Sequence, residues 1–417
     1  MNVPSDHRDL GRAMNIFTSS PLVGSGLPLW LPGGAVMRQE LEQLARDVAR
    51  MDGCEPVYSP VLGKRSLYER SGHWEKFADD MFPPLDDGSE DPLVLRPANC
   101  PHHAQVYAAT PRSYRDLPIR YHEVGAMFRA ERSGVVTGMS RVRQINLDDT
   151  HVFARPDQVG DEVERALASV LRVFDLLALE VDHVRLSGCD DSNRWLGHPG
   201  QWAGAEEQLA SVLKDMAPAA GLPWHHAPGE AAFYGPKIDV QVASPNGHEE
   251  TLATVQLDFN QPDRFGLEFV TADGGRERPV MIHRGTVGAM ERIVAFLLEA
   301  HDGRVPFWLA PVQVCLLPVS DDRDIEQAVE AARTELEASG LRVRVESDGS
   351  LGNRIRLARG RRDALQAVIG PAESRAGQIT VTDLAEGARA SLNVTEFVSR
   401  AAQAAESRAL RVALTSA

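Results

Sequence analysis

Cysteine is scarce in this chain: four residues in 417, at Cys54, Cys100, Cys189 and Cys315. They lie far apart and form no C-x-x-C pair, which argues against a disulfide framework and for a reducing compartment. Any cysteine ligand must therefore find its partners in distant segments. Long apolar runs are missing as well. No stretch approaches the ~20 residues of a membrane span, and the opening MNVPSDHRDLGRAMN has no signal-peptide pattern. No membrane association is expected, and the cytoplasm is the expected location. A basic excess is also absent. The net charge of −15 argues against a surface that coats nucleic acid indiscriminately, and DNA is not an expected partner. A local patch remains compatible with that charge. NRIRLARGRR sets Arg354, Arg356, Arg359, Arg361 and Arg362 close together. Alone it reads as a solvated helix face, and it gains meaning only if the rest of the chain points to RNA.

What is present is ordinary globular usage, with 43% apolar and 25% charged residues, at a length for two or three domains. Helical periodicity marks GAVMRQELEQLARDVARM, the segment from Val159 to Leu179, and GAMERIVAFLLEAHDG. Strands are predicted in CEPVYSPVL, LVLRP, LPIRYHEVGAMFRAE, QINLDDTHVFA, KIDVQVAS and TLATVQLDF. Strands joined by turns with few helices between them predict an α+β domain on an antiparallel sheet. The texture changes near residues 303–311. VQVCLLPV, IEQAVEAARTELEASG, LRVRVES, RIRLARGRRDALQ, QAVIG and QITVTDL alternate strand and helix, and Asn393 with Glu396 suggests a capping box for a last helix. The expected division is 1–305 for the first domain and 306–417 for a small α/β domain.

RPANCPHH places Cys100 beside His102 and His103. The three are too close together to wrap one ion comfortably. His151, in DDTHVF, and His283, in VMIHRGT, are better partners for a zinc with an open position. Each of these residues alone reads better as an ordinary core residue. Arg129 and Glu131 in FRAERSG and Arg292 in MERIV add a second possibility. Two separated guanidinium forks could grip both ends of a triphosphate, or simply form ion pairs.

Taken in order, DHRDLGRAMNIF, SGHWEKFADDMF, RPANCP, RVR with DDTHVF, AAFYGPKID, TVQLDF and VMIHRGTVGAMERI resemble the threonyl-tRNA synthetases, a family of class II aminoacyl-tRNA synthetases. The resemblance covers nearly the whole chain. It implies ATP-dependent activation of threonine and transfer to the 3′ end of a tRNA, by a class II catalytic domain followed by an anticodon-binding domain. It implies one Zn2+ on Cys100, His151 and His283, and Mg2+ with ATP. Asp149, Tyr234 and Gln256 would hold the amino acid. Arg129, Glu131, Arg141, Lys237 and Arg292 would meet the nucleotide, and His73 would serve the transfer step. It further implies a homodimer, paired around the strand ending at Pro60.

The chain departs from the family pattern near the substrate. Leu147 stands where a glutamine is usual and Ile145 where an aromatic is. Glu250, Thr251, Leu252 and Ala253 replace tryptophan-glutamine-cysteine-glycine. Ala98 replaces a methionine, Ala289 a serine, and His102 a glycine, where it is expected to reshape the pocket floor. In the second domain SDGSLGNRIR differs from the family stretch, which bears on anticodon contacts. The family's amino-terminal and editing domains have no counterpart in this sequence, so serine mischarging is expected to go uncorrected in cis. These departures keep two other readings open: a paralogue activating serine or another β-hydroxy amino acid, and a catalytically silent tRNA-binding regulator.

Overall fold

A computed structural model describes residues 6–415 except 87, 245, 246 and 248. The main sheet has eight strands: β1 Glu55–Pro56, β2 Ile119–Phe128, β3 Gln144–Ala154, β4 His183–Gly188, β5 Trp224–Pro228, β6 Lys237–Ala243, β7 Glu249–Asp258 and β8 Val280–Gly285. Their spatial order is β1-β2-β3-β8-β7-β6-β4-β5. The interior pairs antiparallel, as the sequence predicts. Each edge instead carries a parallel strand, β1 on β2 and β5 on β4. The reason is connectivity: long crossovers, not hairpins, link these pairs.

Helices α1 Pro32–Met51, α2 Cys100–Ala108, α3 Val159–Leu176, α4 Pro199–Ala219 and α5 Met290–Ala300 accompany the sheet. Met37, Leu41, Leu44 and Val48 of α1, Val163, Val170 and Phe174 of α3, and Ile293 and Leu297 of α5 recur at helical spacing. They bury against Val152, Val240, Val255 and Ile282 on one face of the sheet. The other face is left for the site. Sequence periodicity did not mark α4, and it assigned no element to NCPHH. In the structure NCPHH opens α2, with Pro101 in the first turn where no N–H is needed. CEPVYSPVL is also not one strand. Only Glu55–Pro56 joins the main sheet, while Leu62–Lys64 pairs with Leu93–Leu95.

Strand alternation makes β3 two-sided. Its helix-facing residues clamp the start of α5. Asp148 Oδ2 accepts from the backbone N–H groups of Thr286 and Val287, both at 2.8 Å, and from the Thr286 hydroxyl at 2.7 Å. Asn146 gives its backbone N–H and its amide to the Glu291 carboxylate at 2.9 and 2.6 Å. These bonds fix where the next residue, Arg292, enters the site.

The second sheet is β9 Val314–Pro318, β10 Val343–Val345, β11 Leu365–Ile369, β12 Gln378–Asp383 and β13 Arg389–Asn393, in the order β10-β9-β11-β12-β13. Helices α6 Arg323–Ala338, α7 Leu351–Gly360 and α8 Val394–Glu406 complete it. Its core gathers Val314, Leu316, Ile325, Leu336, Ile369, Val381 and Phe397, separate from the first. Phe307 packs into this second core and its neighbour Trp308 into the first. The Trp308 indole N–H also donates to the Leu176 carbonyl at 3.1 Å, so the two halves interlock at this dipeptide.

The capping box at α8 is half made. Asn393 accepts from the Thr395 N–H, but Glu396 pairs with Arg400 instead of reaching back. The arginine cluster on and after α7 is mainly structural. Arg354 is buried and donates to the Pro318 carbonyl, Arg361 pairs with Glu346, and Arg362 pairs with Asp302. Only Arg356 and Arg359 are exposed. Among the described residues no helix is long and apolar enough to cross a membrane.

Candidate active site

A cleft of about 330 Å³ opens on the free face of the main sheet. It brings together Cys100 from α2, Arg129 after β2, Asp149 and His151 from β3, Tyr234, Gln256 from β7, His283 from β8 and Arg292 from α5. Ile145, Leu147, Asp149 and His151 alternate along the cleft face of β3. The first and last are six residues apart, or about 20 Å at strand rise. Arg129 lies just beyond the Ile145 end, its backbone N–H bonded to the Arg143 carbonyl. Gly125 pairs with Leu147 across the β2–β3 ladder. A Cβ there would sit 2.6 Å from the Asn99 amide and 2.7 Å from the Arg96 guanidinium, so only glycine fits beneath these two side chains.

At one end the donor atoms of Cys100, His151 and His283 lie within 4.8 Å of one another, and all three residues are buried. His151 Nε2 is 3.0 Å from His283 Nδ1. His283 gives its other nitrogen to Asp258 at 3.0 Å. That carboxylate already accepts from the Asn260 N–H, the Gln261 N–H and the Gln261 amide. It therefore acts as an acceptor toward His283, whose Nδ1 lone pair is left facing His151. Two nitrogens about 2.05 Å from a tetrahedral ion sit ~3.3 Å apart, so sulfur and two imidazoles in this spacing suit a tetrahedral divalent ion with one open position. Burial, then the nearby imidazoles of His283 and His103, drives the His151 pKa well down and keeps it a neutral donor. Burial likewise raises the Cys100 thiol well above its usual range, so its thiolate needs a cation beside it. Asp149 stands 3.8 Å from His151 Nε2, and burial lifts its carboxyl to about 6. The Tyr234 ring centroid is 5.1 Å from that of His283.

At the other end the half-buried Arg129 lies over the Phe77 ring, and its buried Nε has no hydrogen-bond partner. Burial lowers its pKa, and the nearby Arg292 charge acts the same way. A half-buried guanidinium whose Nε lacks a partner, beside a second arginine, is prepared for an anion.

Four other candidates stand around the cleft but do not line it. His73 is buried behind Cys100, with Nε2 3.8 Å from Sγ and Nδ1 2.8 Å from the Ser71 hydroxyl, and burial pushes its pKa to about 4. Glu131 and Arg141 pair with each other at 2.9 Å. Lys237 is bound to Asp239, which also accepts from Thr254 of the lining at 3.0 Å. Of the departures, Ala98, Ile145, Leu147, Thr251, Leu252 and Ala289 all line the cleft. His102 does not. It turns toward the Leu62 carbonyl at 3.4 Å and the Tyr68 ring, which corrects the expectation that it shapes the pocket floor. On a helix, residues two apart point to different sides, so Cys100 and His102 cannot share a face. The residues missed in the sequence are His103, Glu123 and Asp258, which back the histidine ligand candidates. Only the position of His103, one turn after Cys100, was a signal for any of them.

Comparison with known proteins gives this geometry a family. Residues 82–301 match the tRNA synthetase class II core domain (G, H, P, S and T), and residues 313–403 match an anticodon binding domain. The threonine–tRNA ligase of Staphylococcus aureus (strain bovine RF122 / ET3-1) is 43% identical over 396 residues, 94% of this chain and 61% of that protein. Threonine–tRNA ligase 1 of Bacillus subtilis (strain 168) is 44% identical over 399 residues, 95% of this chain and 61% of its own length. The RNA binding domain of threonyl-tRNA synthetase from Cryptosporidium parvum Iowa II superposes with a TM-score of 0.88 at 32% identity, covering 99% of this chain and 100% of that one. The chain belongs to the threonyl-tRNA synthetase family. It spans about three fifths of the length of these bacterial family members. The family fold is thus a mixed sheet and a second α/β sheet, with the cleft on the first.

Proposed function

We propose that this chain activates threonine with ATP and transfers it to a tRNA. The observation that carries the reading is one cleft with a buried sulfur–imidazole–imidazole set at one end and two arginines toward the other. In this reading zinc occupies Cys100, His151 and His283. The chemistry that zinc supplies when bound is ligation of an amino group and a β-hydroxyl, which the methyl of valine cannot offer. Asp149 accepts the β-hydroxyl proton, while Tyr234 and Gln256 hold the amino acid. Arg129 forks onto the α-phosphate, and Arg292 holds the far phosphates with Mg2+. Glu131, Arg141 and Lys237 flank the nucleotide. The carboxylate attacks the α-phosphate and pyrophosphate leaves; the terminal ribose hydroxyl then attacks the acyl carbon and AMP leaves, with His73 serving that transfer. Catalysis is positioning and charge stabilisation. Residues 1–305 are the catalytic domain and 306–417 the anticodon-binding domain, in a cytoplasmic homodimer.

Pyrophosphate exchange tests this. Threonine should support exchange, serine should follow because it offers the same two ligands, and valine should lag by on the order of 10⁴. No exchange with any amino acid sinks the enzymatic reading. The apolar row Ile145, Leu147, Leu252 and Ala289 in the lining favours the second reading, a paralogue for serine or another β-hydroxy amino acid. Exchange confined to such a substrate selects it. For tRNA, Arg356→Ala with Arg359→Ala should lower the salt slope of binding by about 1–2 and leave exchange unchanged. An unaltered slope removes the cluster from the RNA interface.

A further inference from the structure

RPANCPHH supplies more than one ligand candidate. His103, one helical turn after Cys100, is fully buried. Its Nδ1 is 2.7 Å from His151 Nδ1, and its Nε2 is 3.2 Å from the Glu123 carboxylate. Glu123 accepts from every other partner it has: the Ser59 hydroxyl at 2.6 Å, the Ser59 N–H at 3.2 Å and the buried Arg96 guanidinium at 3.0 Å. A carboxylate so surrounded has only acceptor capacity to offer His103. His103 then carries a proton on Nε2, and as a neutral imidazole it presents a lone pair at Nδ1. That lone pair must be met by a proton on His151 Nδ1, which leaves the His151 Nε2 lone pair facing His283 Nδ1.

We infer that His103 is a positioning residue for the metal site, holding His151 as the Nδ1–H tautomer and passing the Glu123 charge to it. The inference rests on the metal reading above. The two imidazole ligands are then backed differently: His283 by Asp258 directly, and His151 by Glu123 through a second imidazole. Outer partners of this kind orient a ligand ring and raise its basicity, and their loss costs roughly 10–100-fold in metal affinity. Arg96, Cys100 and His103 also come from one octapeptide, so the segment that gives the sulfur also sets the far histidine.

The test is zinc affinity by chelator competition on the full chain. His103→Leu should bind zinc roughly 10–100-fold more weakly. His103→Gln, whose amide oxygen can accept the His151 proton, should recover much of that loss. His102→Gly, a change of the adjacent residue that faces away, should stay within about twofold. His103→Leu at wild-type affinity, or His102→Gly as weak as His103→Leu, overturns the inference. Should His103→Leu not fold, nitrogen NMR of the zinc-loaded wild type decides: His103 protonated at Nε2 supports the relay, and at Nδ1 overturns it. A wild type that binds no zinc overturns the metal reading itself, together with this inference.

Discussion

Cys100→Ser is expected to purify without zinc and to lose roughly 10³-fold in threonine-dependent pyrophosphate exchange, the several kcal/mol that a Lewis acid contributes to such a site. The serine hydroxyl is nearly isosteric but stays protonated and is a poor zinc ligand, so packing is preserved while the ligand set is broken. The pairing of the two losses is the content of the prediction. Metal analysis should fall from one zinc per chain to near none, and the unfolding temperature of the metal-free protein should barely move. A Cys100→Ser enzyme that exchanges normally would remove the sulfur from the substrate site and return it to the core, where it packs beside Ala104 and Tyr107.

Arg129 offers a test with opposite signs for activity and stability. Its guanidinium lies over Phe77 and its buried Nε has no partner, so the unliganded protein bears part of the desolvation cost of that charge. Arg129→Met keeps an apolar stem on Phe77 and removes the charge. Exchange should fall by roughly 10²–10³-fold, the scale of losing one preorganised donor to a developing charge. The unfolding temperature without ligand should rise, and the further rise that ATP produces in wild type should disappear. Arg129→Lys should not restore exchange, because an ammonium cannot present the planar fork. If Arg129→Met is destabilised and still active, Arg129 is a structural cation and the nucleotide reading of this end fails.

Part of this site was legible in the chain order of the motifs. Cys100, Arg129, Asp149, His151, Tyr234, Gln256, His283 and Arg292 all line one cleft, and each lay in a segment that the family resemblance had singled out. Glu123 was not marked. It lies in RYHEVG, an ordinary strand sequence, and its relation to the site depends on facing Asp149 across the β2–β3 ladder. A one-residue slip in that register would turn it to the other face. His103 was set aside with His102 because both stand close to Cys100. Helix geometry separates them, turning one toward His151 and the other toward Leu62. The arginine run was misleading for a related reason: spacing shows charge, but not the acids that other segments bring to it.

The sequence by itself determined the family, the alternation that puts Ile145, Leu147, Asp149 and His151 on one face of a strand, and the change to alternating strand and helix after residue 303. These follow from local periodicity and from residue types in order, which need no partner. Tertiary structure alone decided which carboxylate backs which histidine, that Asp148 and Asn146 clamp the helix bearing Arg292, and that three of the five clustered arginines are already paired. Hydrogen bonds and ion pairs act over about 3 Å between residues far apart in the chain, 145 positions for Asn146 and Glu291, and only the folded register brings such groups within reach.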